Sequence, residues 1–259
     1  PGQQTSAENL RRLLAESRLG RPADRVQDAY ALRCMPQVHG AARDGIAYAR
    51  RAVEIEINSA TDNPLIFAET GKVVSGGNFH GQPVALALDV LAIATAALAT
   101  IAERRIERLV NPHLSGLPAF LTREGGLHSG LMLVQYTAAA LVSENKVLTH
   151  PASVDTIPTS ANQEDHVSMG SIAARKAARV VEHVAQVVGI EALCAAQALE
   201  FRGWEQAAPA VRAVYQAVRR VIPPLERDRI LADDLAQAYA LVVEGALVRA
   251  AEEVTGPLG

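Results

Sequence analysis

VSMGSIAARKAARVVEHVAQVVGIEALCAAQALEF, residues 167–201, contains no proline and only two glycines. Apolar residues recur through it at helical spacing, and alanine and other strong helix formers fill much of the rest. The stretch reads as one helix of more than thirty residues, or as two broken near Gly189, and in either form as the central pillar of the fold. A helix of that length needs helical neighbours to cover it. The segment just before it, SVDTIPTSANQED from Ser153 to Asp165, is of another kind. Pro158, Thr159, Ser160, Ala161 and Asn162 carry turn chemistry, and Gln163, Glu164, Asp165 and His166 follow with no apolar residue among them. A loop that turns several polar side chains outward where a buried helix begins is a candidate site.

The composition agrees with helices. Of 259 residues 49% are hydrophobic but only 4% aromatic, which suits closely packed Ala-rich helices better than sheet. The fold class expected is all-α: a bundle of long, mostly antiparallel helices with functional loops at their ends, residues 1–259 forming a single helical domain. A net charge of −3 offers no basic face for nucleic acid and no polybasic patch for a membrane. The run from Val84 to Ala102 is nearly continuous in apolar residues, yet Asp89, Thr95 and Thr100 interrupt it and much of it is alanine, so it reads as a bundle helix. Cys34 and Cys194 read as free thiols in a reducing, cytoplasmic setting.

Further helices are expected at 5–17, ended by Gly20, Arg21 and Pro22, at 38–57 with Gly40 and Gly45 as close-packing points, and from Pro83 to about Val110. Ser129 to Leu148, Ala207 to Val221 and Asp233 to Glu253 complete the set. Asn58 to Pro64 is a built loop, 65–67 and 72–74 suit a small hairpin, and Asn111 to Gly126, with two prolines and three glycines, reads as loop.

Three segments carry chemistry. In Gln27-Asp28-Ala29-Tyr30-Ala31-Leu32-Arg33, Gln27, Tyr30 and Arg33 recur every three residues and share a helical face. Ser75-Gly76-Gly77-Asn78-Phe79-His80-Gly81 is a tight loop whose glycines let backbone or ligand approach. The third holds Glu164. If helix ends bring the three together, within one copy or across an interface, a guanidinium, a phenol, an amide, an aromatic ring and a carboxylate suit a zwitterionic amino acid. Arg33 beside Tyr30 would favour an ionised phenol able to act as acid or base. His166 beside Asp165 reads as a core histidine bonded to backbone, or else as an orienting pair. There is no HExxH, no CxxC and no other close ligand pair, so no metal site is expected.

The stretches QDAYALRCMPQVHGAARD from Gln27, NSATDNPLIF from Asn58, GGNFHGQPVA from Gly76 and SVDTIPTSANQEDHVSMG from Ser153 together resemble the aromatic amino acid ammonia-lyase family, in its histidine ammonia-lyase branch. The resemblance runs in family order from about Gln27 to Arg202 and matches the carboxy-terminal half of such an enzyme. It implies a mostly helical homotetramer, active sites built from three subunits, and non-oxidative elimination of ammonia from L-histidine to give urocanate. By position, Tyr30 and Glu164 resemble catalytic residues, and Arg33 the anchor of the substrate carboxylate. Phe79 resembles the ring that packs on substrate and prosthetic group, and Gln27 a neighbour of the electrophile. Glu164 matches the carboxylate that distinguishes histidine lyases from tyrosine and phenylalanine relatives, which usually carry an amide there.

The family electrophile is a methylidene-imidazolone ring (MIO) formed from Ala-Ser-Gly. That tripeptide is absent here, since the Ser-Gly pairs follow Val74, Leu114 and His128. The family's principal base, a tyrosine of the amino-terminal part, is absent too. The chain alone is therefore expected to be inactive, needing an upstream segment or a companion chain. A tyrosine or phenylalanine lyase or aminomutase of the same family, and a non-catalytic helical assembly partner, are the alternatives.

Overall fold

Helices account for nearly all regular structure among residues 1–19 and 26–259, those described by the computed structural model. In chain order they are α1 (Gly2–Leu13), α2 (Tyr30–Arg33), α3 (Met35–Ile57), α4 (Gln82–Val110), α5 (Pro112–Ser115), α6 (Met132–Leu148), α7 (Gly170–Arg202), α8 (Pro209–Arg219), α9 (Ala232–Val243) and α10 (Ala246–Thr255). One antiparallel hairpin, β1 (Leu65–Phe67) with β2 (Lys72–Val74), pairs Leu65 with Val74, Ile66 with Val73 and Phe67 with Lys72. The bundle, the hairpin and the free thiols Cys34 and Cys194 match the sequence reading.

The 167–201 stretch folds as α7, unbroken at Gly189. That glycine is a contact point instead: a Cβ there would stand 2.8 Å from the backbone carbonyl of Ala238 on α9. Gly40 and Gly45 do the same work on α3, where added Cβ atoms would meet the backbone of Gln3 at 2.4 Å and Ala94 at 2.7 Å. Small residues let these helix axes approach, and that is how an Ala-rich sequence packs at protein density.

The main core lies between α4, α6 and α7, where Ile106, Val110, Leu131, Val134, Val180 and Val187 are nearly inaccessible. By length and composition α4 and α7 are apolar enough to cross a membrane, but here they pack on each other and on α6. Polar contacts fix directions. Gly170 lies against Ala85 at the start of both helices, and Arg105 binds Glu191 through Nη2 to Oε2 at 2.8 Å further along. The central pair α4 and α7 therefore runs parallel, an exception to the expected antiparallel pattern. The return path between them is α6, antiparallel to α7, with Lys176 reaching the carbonyl of His150 and His183 Nδ1 lying 2.9 Å from Asn145 Oδ1.

Several boundaries differ from the sequence reading. The first helix begins earlier, at Gly2, and ends at Leu13; its expected stop at Gly20, Arg21 and Pro22 lies outside the described residues. Asn111 to Gly126 is not all loop. Asn111 Oδ1 accepts the N–H of His113 and Pro112 opens the short α5, while residues 119–121 form a 3₁₀ turn. Asp233 to Glu253 is two helices, because Gly245, at φ 69°, takes the left-handed conformation that ends α9 and starts α10.

Candidate active site

One end of the parallel pair gathers two of the three segments singled out in the sequence, the Phe79 loop and the Glu164 loop. Gln82 opens α4, and Pro83 sits in its first turn, where a missing N–H costs nothing. Just before it, His80 Nδ1 accepts the backbone N–H of Gln82 at 3.3 Å, so its Nε2 carries the proton and donates to the carbonyl of His166 at 2.9 Å. That bond ties the Phe79 loop to the Glu164 loop. Asn63 braces the Phe79 loop from the other side, its Oδ1 accepting from Ser75 Oγ at 3.1 Å and the N–H of Gly76 at 3.0 Å. Asn78 adds a bond from Nδ2 to the carbonyl of Ala60 at 2.6 Å. The result presents the ring of Phe79, 51% exposed, at a cleft of about 620 Å³ shared with Gly81, Val84, Val167 and Ser168.

The Glu164 loop is pinned to the helices beneath it. Asp89, which interrupts the apolar run of α4, is buried and accepts the N–H of Ser153 at 2.7 Å, and Thr156 Oγ1 accepts the N–H of Val167 at 2.8 Å. Between these anchors the chain makes a tight reversal. Thr159 and Glu164 exchange backbone hydrogen bonds at 3.0 and 3.3 Å, and Ser160, Ala161 and Asn162 take positive φ values of 51°, 53° and 69°. Three consecutive non-glycine residues in that region cost of order 1–2 kcal/mol each. Glu164 Oε2 then accepts Thr159 Oγ1 at 2.6 Å and Ser160 Oγ at 2.8 Å, and the two hydroxyls hold its carboxyl below the ordinary glutamate value.

His166 is not the core histidine expected from the sequence. It is exposed, its ring centroid 5.7 Å from that of His80, and its part in the structure is played by its backbone carbonyl. The buried histidine is His183, fully enclosed between α6 and α7.

Tyr30 and Arg33 lie elsewhere. They occupy the short α2, both exposed, with the guanidinium carbon of Arg33 4.9 Å above the centre of the Tyr30 ring. The cation lies over the ring face rather than at the hydroxyl. Gln27, exposed, precedes this turn. The turn rests on α4 near Ala97, Thr100, Ile101 and Arg104, around a groove of about 450 Å³, and Arg105 Nη1 reaches the carbonyl of Ala31 at 3.4 Å. From Gln82 to Ile101 a helix rises roughly 29 Å. One copy thus brings Phe79 and Glu164 to one end of α4 and Gln27, Tyr30 and Arg33 to the other. It does not bring Arg33 to Glu164.

Three residues of the first end were not singled out as functional by the sequence reading. Thr159 and Ser160 were read as turn formers and His80 as part of a loop. Serine and threonine four and five residues before a glutamate are the only trace in the sequence of the contact they make.

A profile of the family described as aromatic amino acid lyase matches residues 1–220. Among similar curated proteins, the histidine ammonia-lyase of Symbiobacterium thermophilum is 64% identical over 259 residues, covering 99% of this chain and 51% of that protein. That of Gloeobacter violaceus is 59% identical over 262 residues, covering 100% of this chain and 51% of the relative. The chain spans about half the length of the curated relatives it matches. Among solved structures, histidine ammonia-lyase from Trypanosoma cruzi superimposes with a TM-score of 0.90 at 49% identity, over 98% of this chain and 48% of that one. Tyrosine aminomutase from Streptomyces globisporus does so with a TM-score of 0.94 at 41% identity, over 100% of this chain and 53% of that one.

Proposed function

The chain belongs to the aromatic amino acid lyase family, and from that premise we propose that it supplies the substrate-gripping residues of a histidine ammonia-lyase. The reaction is the non-oxidative elimination of ammonia from L-histidine to urocanate. The observation that carries the reading is the Glu164 carboxylate, exposed and held ionised by two hydroxyls in the loop beside Phe79. An anionic acceptor suits the N–H of an imidazole. The plain ring of phenylalanine offers it no donor.

In this reading Arg33 binds the substrate carboxylate through its guanidinium fork. Tyr30, on whose ring Arg33 lies, stands beside the reacting carbons as an acid or base, and Gln27 lies next to the electrophile. Phe79 packs on the imidazole. Because α4 holds the two groups of residues roughly 29 Å apart, the grips on the two ends of one histidine come from different copies. A homotetramer with shared sites, as the family resemblance implies, meets that requirement. The free thiols Cys34 and Cys194 suit a cytoplasmic enzyme.

Elimination also needs a group that turns the amine into a leaving group, because the β-hydrogen is weakly acidic and ammonia departs poorly. The methylidene-imidazolone ring supplies that electrophilic activation when present, and this sequence has no Ala-Ser-Gly from which to form it. Of the residues around the site, Phe79, half-exposed at the cleft with Val84 and Val167, would offer such a flat ring an apolar face to stack on. The ring and the principal base are then contributed by protein outside these 259 residues.

The test is to join or co-express the chain with an upstream segment bearing Ala-Ser-Gly and to follow the ultraviolet absorbance of urocanate. Product is expected from histidine, and Glu164→Gln should reduce turnover of histidine far more than that of phenylalanine. A stable, complete assembly that makes no urocanate would sink the reading. An assembly that prefers tyrosine or phenylalanine would assign the chain to the other branch of the family.

A further inference from the structure

We propose that Thr159 and Ser160 are positioning residues for substrate choice: their hydroxyls hold one oxygen of Glu164, Oε2, and thereby aim the other, Oε1, at the imidazole N–H. The inference rests on the reading of Glu164 as the carboxylate that faces the substrate ring.

A glutamate side chain in a solvent-facing loop samples several rotamers, and each one lost on binding costs affinity. Here that freedom is already spent. Both hydroxyls converge on Oε2, at 2.6 and 2.8 Å, while Oε1 accepts no hydrogen bond from any described residue. The backbone serves the same end. Thr159 and Glu164 form a two-bond bridge, and the left-handed turn at Ser160 to Asn162 swings the Ser160 hydroxyl back over the bridge toward the carboxylate. Left-handed backbone at three non-glycine positions persists only where surrounding contacts over-determine it.

The electrostatics are local. The titratable groups of the described loops are Asp155, Asp165 and His166 on the same loop and His80 across from it, and Glu164 makes no ion pair with any described residue. The two hydroxyls, with no cation assisting, favour the ionised carboxylate, so the site stays anionic while adding no positive charge to repel a protonated ring. A hydroxyl clamp leaves the net charge at −1 and one oxygen available, whereas an arginine partner would neutralise the charge and occupy both.

The test has two arms. In the 259-residue chain carrying ¹³Cδ-labelled glutamate, the resonance of Glu164 is assigned by its loss in Glu164→Gln and titrated with acid. Thr159→Val and Ser160→Ala should each move its midpoint upward, with a larger shift in the double variant, and Thr159→Ser should restore it. Ser160→Gly relaxes the left-handed backbone but removes the hydroxyl, and is expected to behave like Ser160→Ala. In the second arm, Thr159→Val, Ser160→Ala and the double variant of the assembled lyase should lose kcat/KM for histidine by about tenfold or more, the lower end for one charge-assisted hydrogen bond, while Thr159→Ser should keep it. Discrimination against phenylalanine should narrow, and the acidic limb of the histidine profile should shift to higher pH.

An unmoved midpoint in the double variant overturns the clamp, whatever the chain catalyses. A moved midpoint with unchanged histidine kinetics overturns the positioning role. If Glu164→Gln also leaves histidine use intact, the fault lies in the reading of Glu164 itself.

Discussion

Asp89 of α4 accepts the backbone N–H of Ser153 at 2.7 Å from a position only 4% exposed. A buried carboxylate in an otherwise apolar helix thereby fixes the point where the Glu164 loop leaves the core. Asp89→Ala should cost about 1.5–3 kcal/mol, the range for a hydrogen bond to a charged group, read from urea unfolding. Asp89→Asn keeps an acceptor and should cost less.

Arg105 and Glu191 form a two-pronged pair between α4 and α7, with side chains 11% and 21% exposed. Removing one partner strands the other in a poorly hydrated place. Glu191→Leu alone should destabilise by about 2–4 kcal/mol, somewhat below the figure for a fully buried pair, and the double change with Arg105→Leu should recover much of that loss. A double-mutant cycle by chemical denaturation measures the coupling.

His39 on α3 is pushed down to about 4 by burial, then by the positive charges of Arg105 and Arg43. Its folded-state value lies below the unfolded one of about 6.5, so the folded state resists protonation. The neutral ring's contribution to stability is fully present above that pH and is lost as pH falls toward the folded value. His39→Gln should flatten this part of the pH dependence between the two values, compared by unfolding midpoints of parent and variant. The His39 Nε2 has no hydrogen-bond partner among the described residues, so its loss breaks no bond to them.

Gly189→Ala gains helix propensity worth about 1 kcal/mol but forces a methyl against the carbonyl of Ala238, 2.8 Å away. Backbone cannot retreat as a flexible side chain can. A net loss of about 1–2 kcal/mol is expected, seen as a lower thermal midpoint.

Helix spans such as 82–110 and 170–202 were legible because propensity and apolar spacing agree along them, with Pro83 marking the first turn of the former and the absence of proline keeping the latter whole. The sequence also pointed to the loops at 76–80 and 163–166 as chemically unusual. What it could not convey were relations in space. Gly189 leaves one helix or two equally readable until a neighbouring helix is present to need its missing side chain. The parallel pairing of α4 and α7 depends on α6 returning between them, which no local pattern records. Thr159 and Ser160 look like ordinary turn residues, since hydroxyls that hold a carboxylate and hydroxyls that cap a turn are the same atoms. Gly245 is a different failure: a glycine before a short terminal helix was a readable stop that the apolar periodicity on either side obscured.

If sites are shared between copies as proposed, the span of α4 would make each copy the donor of two unlike halves. A subunit deprived of its guanidinium at position 33 would still carry an intact carboxylate for a neighbour, and one altered at position 164 an intact guanidinium. In an assembly completed by the upstream segment, two such defective chains, each silent by itself, would together restore some working sites, so rescue between them would follow from the length of a single rod.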